Sequence, residues 1–146
     1  MDSSYYQSIR QRCAFASLRK ATRVATQFFD DAYRSSGLRS TQCSLLLNVS
    51  LAGSISISEL GGLLRMDQTT VTRNIKLLED RGYISSMRED GDARRKTVSI
   101  TQLGAQKLDA ALPNWERAQA RIEQELGAER FQEFLRTLRL IEDIMK

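Results

Sequence analysis

Side chains that hydrogen-bond or carry positive charge concentrate in two short segments near the middle of the 146-residue chain. The first lies between Asp67 and Arg81 and contains glutamine, threonine, arginine and lysine. The second is the charged run from Arg88 to Lys96, which contains an Asp-Gly pair. Amides, hydroxyls and guanidinium groups read base edges in the DNA major groove, and basic loops suit the negative potential of the minor groove. The two segments therefore favour recognition of nucleic acid over catalysis, although a solvated face is the alternative for each charged run.

Two absences in the sequence exclude common classes of enzyme. The chain has no histidine, which rules out Ser-His-Asp and Cys-His catalysis and metal sites that depend on imidazole. The cysteines, Cys13 and Cys43, form no C-x-x-C pair. Gly61-Gly62 lies in an apolar helical pattern rather than in a phosphate-binding loop. We therefore expect no enzymatic activity, no cofactor and no metal.

The composition is that of an ordinary folded protein. Hydrophobic residues make up 41% of the chain and charged residues 27%, and the length suits one subunit. The net charge of +4, from 22 basic and 18 acidic residues, permits DNA binding without requiring it. No apolar run approaches the ~20 residues of a membrane span, and the N-terminus lacks the order of a secretory signal. We expect a cytoplasmic protein without a membrane partner.

The first third of the chain predicts two helices. An apolar stripe at helical spacing runs from Tyr6 to Tyr33 and predicts one long amphipathic helix. Gly37 is expected to end this region in a left-handed conformation. A shorter helix follows over residues 41–48, and Ser40, directly before it, is a candidate cap.

The centre of the chain predicts two short helices joined by a tight turn. Ser56 and Glu59 have the spacing of a capping box, which marks the start of the first helix. Asp67 can cap the second helix after a turn at residues 65–66, and Gly82 is expected to end it. Val71, Ile75 and Leu78 form its buried stripe, and its outward polar residues are Gln68, Thr69, Thr70, Thr72, Arg73 and Lys76.

The remaining residues predict a β-hairpin followed by two helices. Residues 83–87 and 97–100 are β-prone and flank the charged run, so that run forms the hairpin tip. Thr101 is a natural cap for the next helix, Pro113 is expected to kink or interrupt it, and Gly127 separates it from the last helix. The predicted fold is mainly α with a small β-hairpin wing, a winged helix-turn-helix with additional terminal helices.

In this order and spacing the motifs resemble the MarR family of bacterial transcriptional regulators, over nearly the whole chain. The residues that carry the resemblance are Gly37-Leu38 with Gln42, Ser58-Glu59-Leu60, Thr70-Val71-Thr72-Arg73, Leu78-Glu79-Asp80-Arg81-Gly82-Tyr83-Ile84, Asp92-Ala93-Arg94-Arg95-Lys96, and Ile100-Thr101 with Gly104.

The resemblance implies a repressor that binds a pseudo-palindromic operator as a homodimer, with DNA affinity modulated by a small-molecule effector. It implies dimerisation helices in residues 1–37 and 102–146 and a DNA-binding lobe in residues 38–101. In the family, an aspartate stabilises the wing and an arginine enters the minor groove, and these roles map onto Asp92 and Arg94. The candidate DNA-binding residues are Gln68, Thr69, Thr70, Thr72, Arg73, Lys76, Asp92, Arg94 and Arg95.

Cys13 has two interpretations. It lies where the organic-hydroperoxide sensors of the family carry their reactive thiol, so a thiol-based oxidant-sensing repressor is an alternative function. Those sensors surround the thiol with tyrosines, whereas this chain has Ser17 and Gln27 at the approximate equivalent positions. The other interpretation is a small packing residue, which we also expect for Cys43.

Aromatic residues at helical spacing also have two interpretations. Many relatives bind phenolic or lipophilic compounds between the dimerisation helices and the DNA-binding lobe, which implies a small aromatic or lipophilic effector. The same residues would equally form core or dimer interface. For the whole chain, a winged-helix protein–protein assembly module without DNA binding is a further alternative. The aromatic residues concerned are Phe28, Phe29, Trp115, Phe131 and Phe134.

Overall fold

The computed structural model describes residues 3–88 and 96–145. No helix in these two ranges is long and apolar enough to cross a membrane. In chain order the elements are α1 (Ser3–Arg12), α2 (Ala14–Tyr33), a 3-10 turn (Arg34–Ser36), α3 (Ser40–Ala52), β1 (Ile55–Ser56), α4 (Ile57–Leu64), α5 (Gln68–Asp80), β2 (Ile84–Arg88), β3 (Lys96–Ile100), α6 (Gln102–Leu126) and α7 (Ala128–Ile144).

The N-terminal region forms two helices, so the prediction of one helix from Tyr6 to Tyr33 is wrong. The backbone of Cys13 is extended, with φ −75° and ψ 103°, and interrupts the helical path. The Cys13 Sγ accepts a hydrogen bond from the Ala16 N–H at 3.4 Å. A thiol therefore takes the place of the hydroxyl or carboxylate that usually caps a helix.

The joint between α2 and α3 depends on a carboxylate that the sequence pattern did not identify. Gly37 is left-handed as predicted, with φ 71°. Ser40 is the first residue of α3 rather than its cap. Asp30 Oδ1 accepts hydrogen bonds from the Ser40 N–H at 2.7 Å and from the Ser40 hydroxyl at 2.6 Å. Gln42 Oε1 accepts from the Arg39 N–H at 3.1 Å, so two side chains stabilise this helix start.

Helix α3 is longer than predicted and ends at Ala52, four residues beyond Asn48. Its extra turn begins with Val49, which is fully buried. A contiguous core surrounds this helix, and tertiary packing stabilises the additional turn. The most completely buried side chains of that core are Leu45, Leu46, Val49, Leu60, Val71, Ile75, Leu78 and Val98.

The predicted hairpin is present, and a third strand extends it. Strands β2 and β3 are antiparallel, from the Ile84–Ile100 pair to the Arg88–Lys96 pair. The two-residue strand β1 pairs with the other edge of β3, giving the order β1-β3-β2. Two residues are too short for an alternating pattern, so the sequence did not reveal β1.

Helix α6 continues through Pro113 for 25 residues, so the expected interruption does not occur. One face packs against the rest of the chain, where the Asn114 amide donates to the Ser35 hydroxyl at 3.3 Å. The buried face contains Leu108, Ala111, Asn114 and Ala118. Leu112 and Trp115, four and seven residues after Leu108, are 41% and 43% exposed. Gly127 separates α6 from α7 as predicted.

The start of α6 packs directly on the backbone that enters the wing. Thr101 Oγ1 accepts from the Gly104 N–H at 3.0 Å and donates to the Gly82 carbonyl at 2.6 Å. A Cβ on Gly104 would lie 2.0 Å from the Tyr83 carbonyl oxygen. Only glycine permits this contact, because a side chain would overlap the backbone.

Candidate nucleic-acid interface

Helix α4 begins with the predicted capping box. Ser56 Oγ accepts from the Glu59 N–H at 3.2 Å, and Glu59 Oε2 accepts from the Ser56 N–H at 3.0 Å. These reciprocal hydrogen bonds satisfy two of the free backbone donors at the helix start. Leu60 then anchors α4 in the core, so the following turn begins from a fixed position.

The turn between α4 and α5 is tight because the backbone at Arg65 is left-handed, with φ 51°. The Met66 N–H then donates to the Gly61 carbonyl at 2.9 Å. A Cβ on Gly61 would lie 3.2 Å from the Met66 carbonyl oxygen, which leaves little room for a larger residue. The turn therefore holds the first residues of α5 close to α4.

Asp67 caps α5 as predicted. Its Oδ1 accepts from the Thr70 N–H at 2.8 Å, and its Oδ2 accepts from the Thr70 hydroxyl at 2.6 Å. These hydrogen bonds, side chain first and then backbone, hold the pKa of the Asp67 carboxyl below its usual value. The Thr70 hydroxyl donates within the cap, so it has only acceptor capacity for another molecule.

One face of α5 is buried and the opposite face is polar and accessible. Val71, Ile75 and Leu78 are each at most 1% exposed, which confirms the predicted stripe. Thr70 is half-buried. Lys76 Nζ lies 3.5 Å from Asp80 Oδ1 in a solvent-exposed ion pair. Breaking this pair to free the lysine side chain costs little free energy. The exposed candidate residues of this face are Gln68, Thr69, Thr72, Arg73 and Lys76.

An ion pair ties α5 to the base of the wing. Lys96 Nζ, at the start of β3, lies 2.8 Å from Glu79 Oε2. Burial alone would raise the pKa of Glu79, but hydrogen bonds from Lys96 and Ser86 and the charges of Lys96 and Lys76 together hold it below its usual value. Asp92, Arg94 and Arg95, the predicted wing residues, lie outside the described residues.

A second structural feature is an apolar cavity of about 510 Å³ between α2, α3 and α6. Its volume lies within the ~300–1,000 Å³ typical of small-molecule sites. Burial, and then the charge of Asp30, raise the pKa of the Cys43 thiol at its wall to about 12. Cys43 is thus a buried residue, as predicted. The lining includes Phe29, Tyr33, Cys43, Leu108, Leu112 and Trp115.

The other aromatic residues are divided between separate surroundings. Phe28 lies in a second groove between α2 and α6, together with Val24 and Ile122. Phe131 is buried, whereas Phe134 is 46% exposed. The predicted aromatic set therefore does not form a single pocket in one chain.

Two positioning groups were missed by sequence reasoning. Arg81 Nη1 donates to the Gly37 carbonyl at 3.1 Å and so connects the end of α5 to the α2–α3 joint. Asp30 connects α2 to α3. A signal for Asp30 was present, because Asp30 and Asp31 occupy the last turn of α2, where the helix dipole disfavours acids. An acid in that position indicates a partner elsewhere.

Comparison with known sequences identifies the family. The MarR family profile matches residues 38–96. The uncharacterized HTH-type transcriptional regulator YdgJ of Bacillus subtilis is 31% identical over 81 residues, which cover 56% of this chain and 49% of YdgJ. This chain therefore aligns with only about half the length of that curated relative.

Solved structures extend the similarity to almost the whole chain. The transcriptional regulator MosR of M. tuberculosis, solved in complex with DNA, is 32% identical with a TM-score of 0.78, covering 92% of this chain and 99% of MosR. A mutant of E. coli MarR complexed with operator DNA has a TM-score of 0.82 at 16% identity, covering 91% and 96% of the two chains. The second likeness supports the winged-helix fold alone. With the profile match and the MosR similarity, the chain belongs to the MarR family, whose members are DNA-binding transcriptional regulators rather than enzymes.

Proposed function

We propose that this chain is a repressor that binds a pseudo-palindromic operator as a homodimer and releases it when a small-molecule effector binds. The observation that carries the proposal is the division of α5 into a fully buried face and an accessible polar face. A helix held in this way can enter the major groove with its N-terminal residues against base edges. The proposed contacts are Gln68, Thr69, Thr70, Thr72, Arg73 and Lys76 in the groove, with Asp92, Arg94 and Arg95 in the wing.

Homodimer formation is supported by apolar surface on the terminal helices. Helix α1 buries no residue within the chain, α2 buries only Tyr33, and α7 buries only Phe131. Exposed apolar side chains include Val24, Phe134 and Ile144. We propose that residues 1–37 and 102–146 pack against a second copy, and that residues 38–101 form the DNA-binding lobe. Patches of this kind on a soluble protein mark interaction sites.

The DNA-binding test is a titration of duplex DNA from the upstream intergenic region, with Arg73→Ala beside the unaltered protein. If Arg73 reads a base, its loss costs about 1–3 kcal/mol and relaxes sequence preference at one position. Lys76→Ala should weaken binding to all sequences and lower the salt slope by about one, as expected for a phosphate contact. Arg130→Ala, an exposed arginine of α7, is the matched control.

The outcome that contradicts repression by DNA binding is the absence of specific binding at low salt. Selection of genomic fragments would then decide whether the operator was chosen wrongly. If selection also failed while the protein remained dimeric, the chain would act as a protein–protein assembly module instead.

One observation favours oxidant sensing as a second candidate function. Cys13 Sγ is a hydrogen-bond acceptor at the break between α1 and α2, so oxidation there would alter the start of α2. An organic hydroperoxide would convert the thiol to a sulfenic acid and be reduced to its alcohol. Cys13→Ser should abolish peroxide-driven release of DNA, whereas Cys43→Ser should retain it. Release in the Cys13→Ser variant would exclude Cys13 as the sensor.

A further inference from the structure

The cavity between α2, α3 and α6 is polar only through uncharged groups. Of the described residues, no charged side chain lines it. The polar residues that line it are Tyr33, Ser40, Cys43 and Ser44. Burial, and then the neighbouring Cys43, raise the pKa of Tyr33 to about 12, and Cys43 is raised to the same value. Both groups are therefore neutral near neutral pH.

A negative charge lies directly behind one wall of the cavity. The Asp30 carboxylate accepts both hydrogen bonds of Ser40, and Ser40 lines the cavity. The Asp30 side chain is 19% exposed, and its charge acts on the Cys43 thiol of the same wall. Arg39 lies 3.5 Å from Asp30 Oδ2, but its side chain is 79% exposed, so solvent screens its charge.

We propose that Asp30 gives this cavity a preference for uncharged aromatic compounds over aromatic carboxylates. The proposal deepens the effector part of the proposed function and rests on it for its regulatory meaning. Ligand binding itself is independent of DNA and is tested separately.

Two physical effects act against an anionic ligand. A carboxylate that enters the cavity loses hydration, and no cationic side chain of the lining replaces it. The carboxylate of Asp30, directly behind Ser40, adds electrostatic repulsion. An uncharged aromatic ring avoids both effects and gains from burial against Phe29 and Trp115. A hydroxyl on the ring can still pair with Tyr33, Cys43 or Ser44.

The test uses three ligands of nearly equal shape on the full chain without DNA. These are para-tert-butylbenzyl alcohol, para-tert-butylbenzoate and para-tert-butylbenzylammonium, titrated by calorimetry at neutral pH. The alcohol should bind most tightly and the benzoate at least about tenfold more weakly, which corresponds to about 1.4 kcal/mol. The ammonium should fall between them, because it loses hydration but is not repelled by Asp30.

The emission of Trp115, the single tryptophan of the chain, reports whether the ligand occupies this cavity. Trp115 lies in the lining, so the emission should change in proportion to the calorimetric signal. Heat of binding without any change in Trp115 emission would place the ligand elsewhere and overturn the proposal. Equal or tighter binding of the benzoate, or no binding of any of the three, would also overturn it.

Two variants with the same change in net charge isolate the role of Asp30. Asp30→Asn keeps an oxygen that can accept from Ser40 but removes the charge, so it should narrow the gap between alcohol and benzoate to less than about threefold. Asp31→Asn changes the next residue, which pairs with Arg34 on the surface, and should leave the gap unchanged. An unchanged gap in Asp30→Asn, or an equal change in both variants, would exclude Asp30 as the determinant.

Control of DNA release by the ligand is then tested by adding para-tert-butylbenzyl alcohol to the complex of the protein with DNA. Binding of the alcohol in the predicted order without DNA release would retain the charge preference and contradict effector control. Release of DNA by the benzoate at lower concentration than by the alcohol would contradict the charge preference. The two proposals thus fail in different measurements.

Discussion

The winged-helix segment and helices α1, α2 and α7 differ in how completely one chain buries their apolar side chains. In α3, α4, α5 and β3, the central side chains are almost fully excluded from solvent. In α1, α2 and α7, only Tyr33 and Phe131 are buried. The first region supplies most of the buried core, whereas helices α1, α2 and α7 leave much of their apolar surface uncovered within one chain. The difference is the reason that the proposed association is assigned to the terminal helices and the proposed DNA contacts to the winged-helix segment.

The largest expected effect is the loss of stability when a side chain of the winged-helix core is truncated. Ile75→Ala should lower the free energy of unfolding by about 2–5 kcal/mol, because it leaves a cavity where no solvent enters. Leu77→Ala, in the same helix but 45% exposed, should cost about 1 kcal/mol or less. Urea titration of the two variants at one protein concentration measures the difference. Equal costs would mean that α5 is not divided into a buried and an accessible face.

The next effect concerns association through α7. Phe134→Ala should weaken the proposed homodimer by about 2 kcal/mol, or roughly thirtyfold, as for a central aromatic interface residue. Gln132→Ala changes an exposed polar residue away from the apolar stripe and should have little effect. Sedimentation equilibrium over a range of concentrations gives both constants. A monomeric unaltered protein, or equal effects in both variants, would contradict the role assigned to α7.

A smaller effect is expected at the boundary between the two regions. Thr101→Ala removes the cap of α6 and the hydrogen bond to the Gly82 carbonyl and should cost about 1 kcal/mol of stability. Thr101→Ser retains the hydroxyl and should recover most of it. Thermal unfolding of the three proteins tests this, and a serine variant as unstable as the alanine variant would argue against a capping role.

The smallest expected effect is a pH-dependent change in stability at the ion pair that joins α5 to the wing. Because the pKa of Glu79 is lowered in the folded chain, its ionised form stabilises the fold fully above the unfolded value of about 4.3, and this contribution is lost as the pH falls through the lower folded value. Glu79→Gln should therefore cost less than about 1 kcal/mol at neutral pH and nothing near pH 3. Urea unfolding at both pH values measures it. A cost that persists in acid would point to packing rather than charge.

The sequence predicted the parts of the molecule that local rules determine. Ser56 with Glu59, and Asp67 with Thr70, lie three residues apart, so their caps follow from spacing alone. The stripe of Val71, Ile75 and Leu78 likewise follows from the helical period. These local features position the polar face of α5, and they were correctly derived.

The missed features depend on contacts between segments that are distant in sequence or on side chains with unusual roles. Asp30 reaches Ser40 ten residues later, which no periodic pattern encodes. Cys13 interrupts a continuous amphipathic stripe because a thiol serves as the cap. Pro113 remains within a helix that packs along one side of the chain, so tertiary contacts outweigh its local cost.

The contact at Gly104 has a mechanical consequence. Because α6 meets the Tyr83 backbone there without an intervening side chain, no rotamer change can absorb a tilt of the helix at that point. The 22 residues of α6 that follow Gly104 extend about 33 Å from this contact. A rigid tilt of about five degrees about it moves the far end of the helix by about 3 Å, more than half of one helical turn. A small tilt of α6 at Gly104 therefore produces a large displacement at the C-terminal end of the helix.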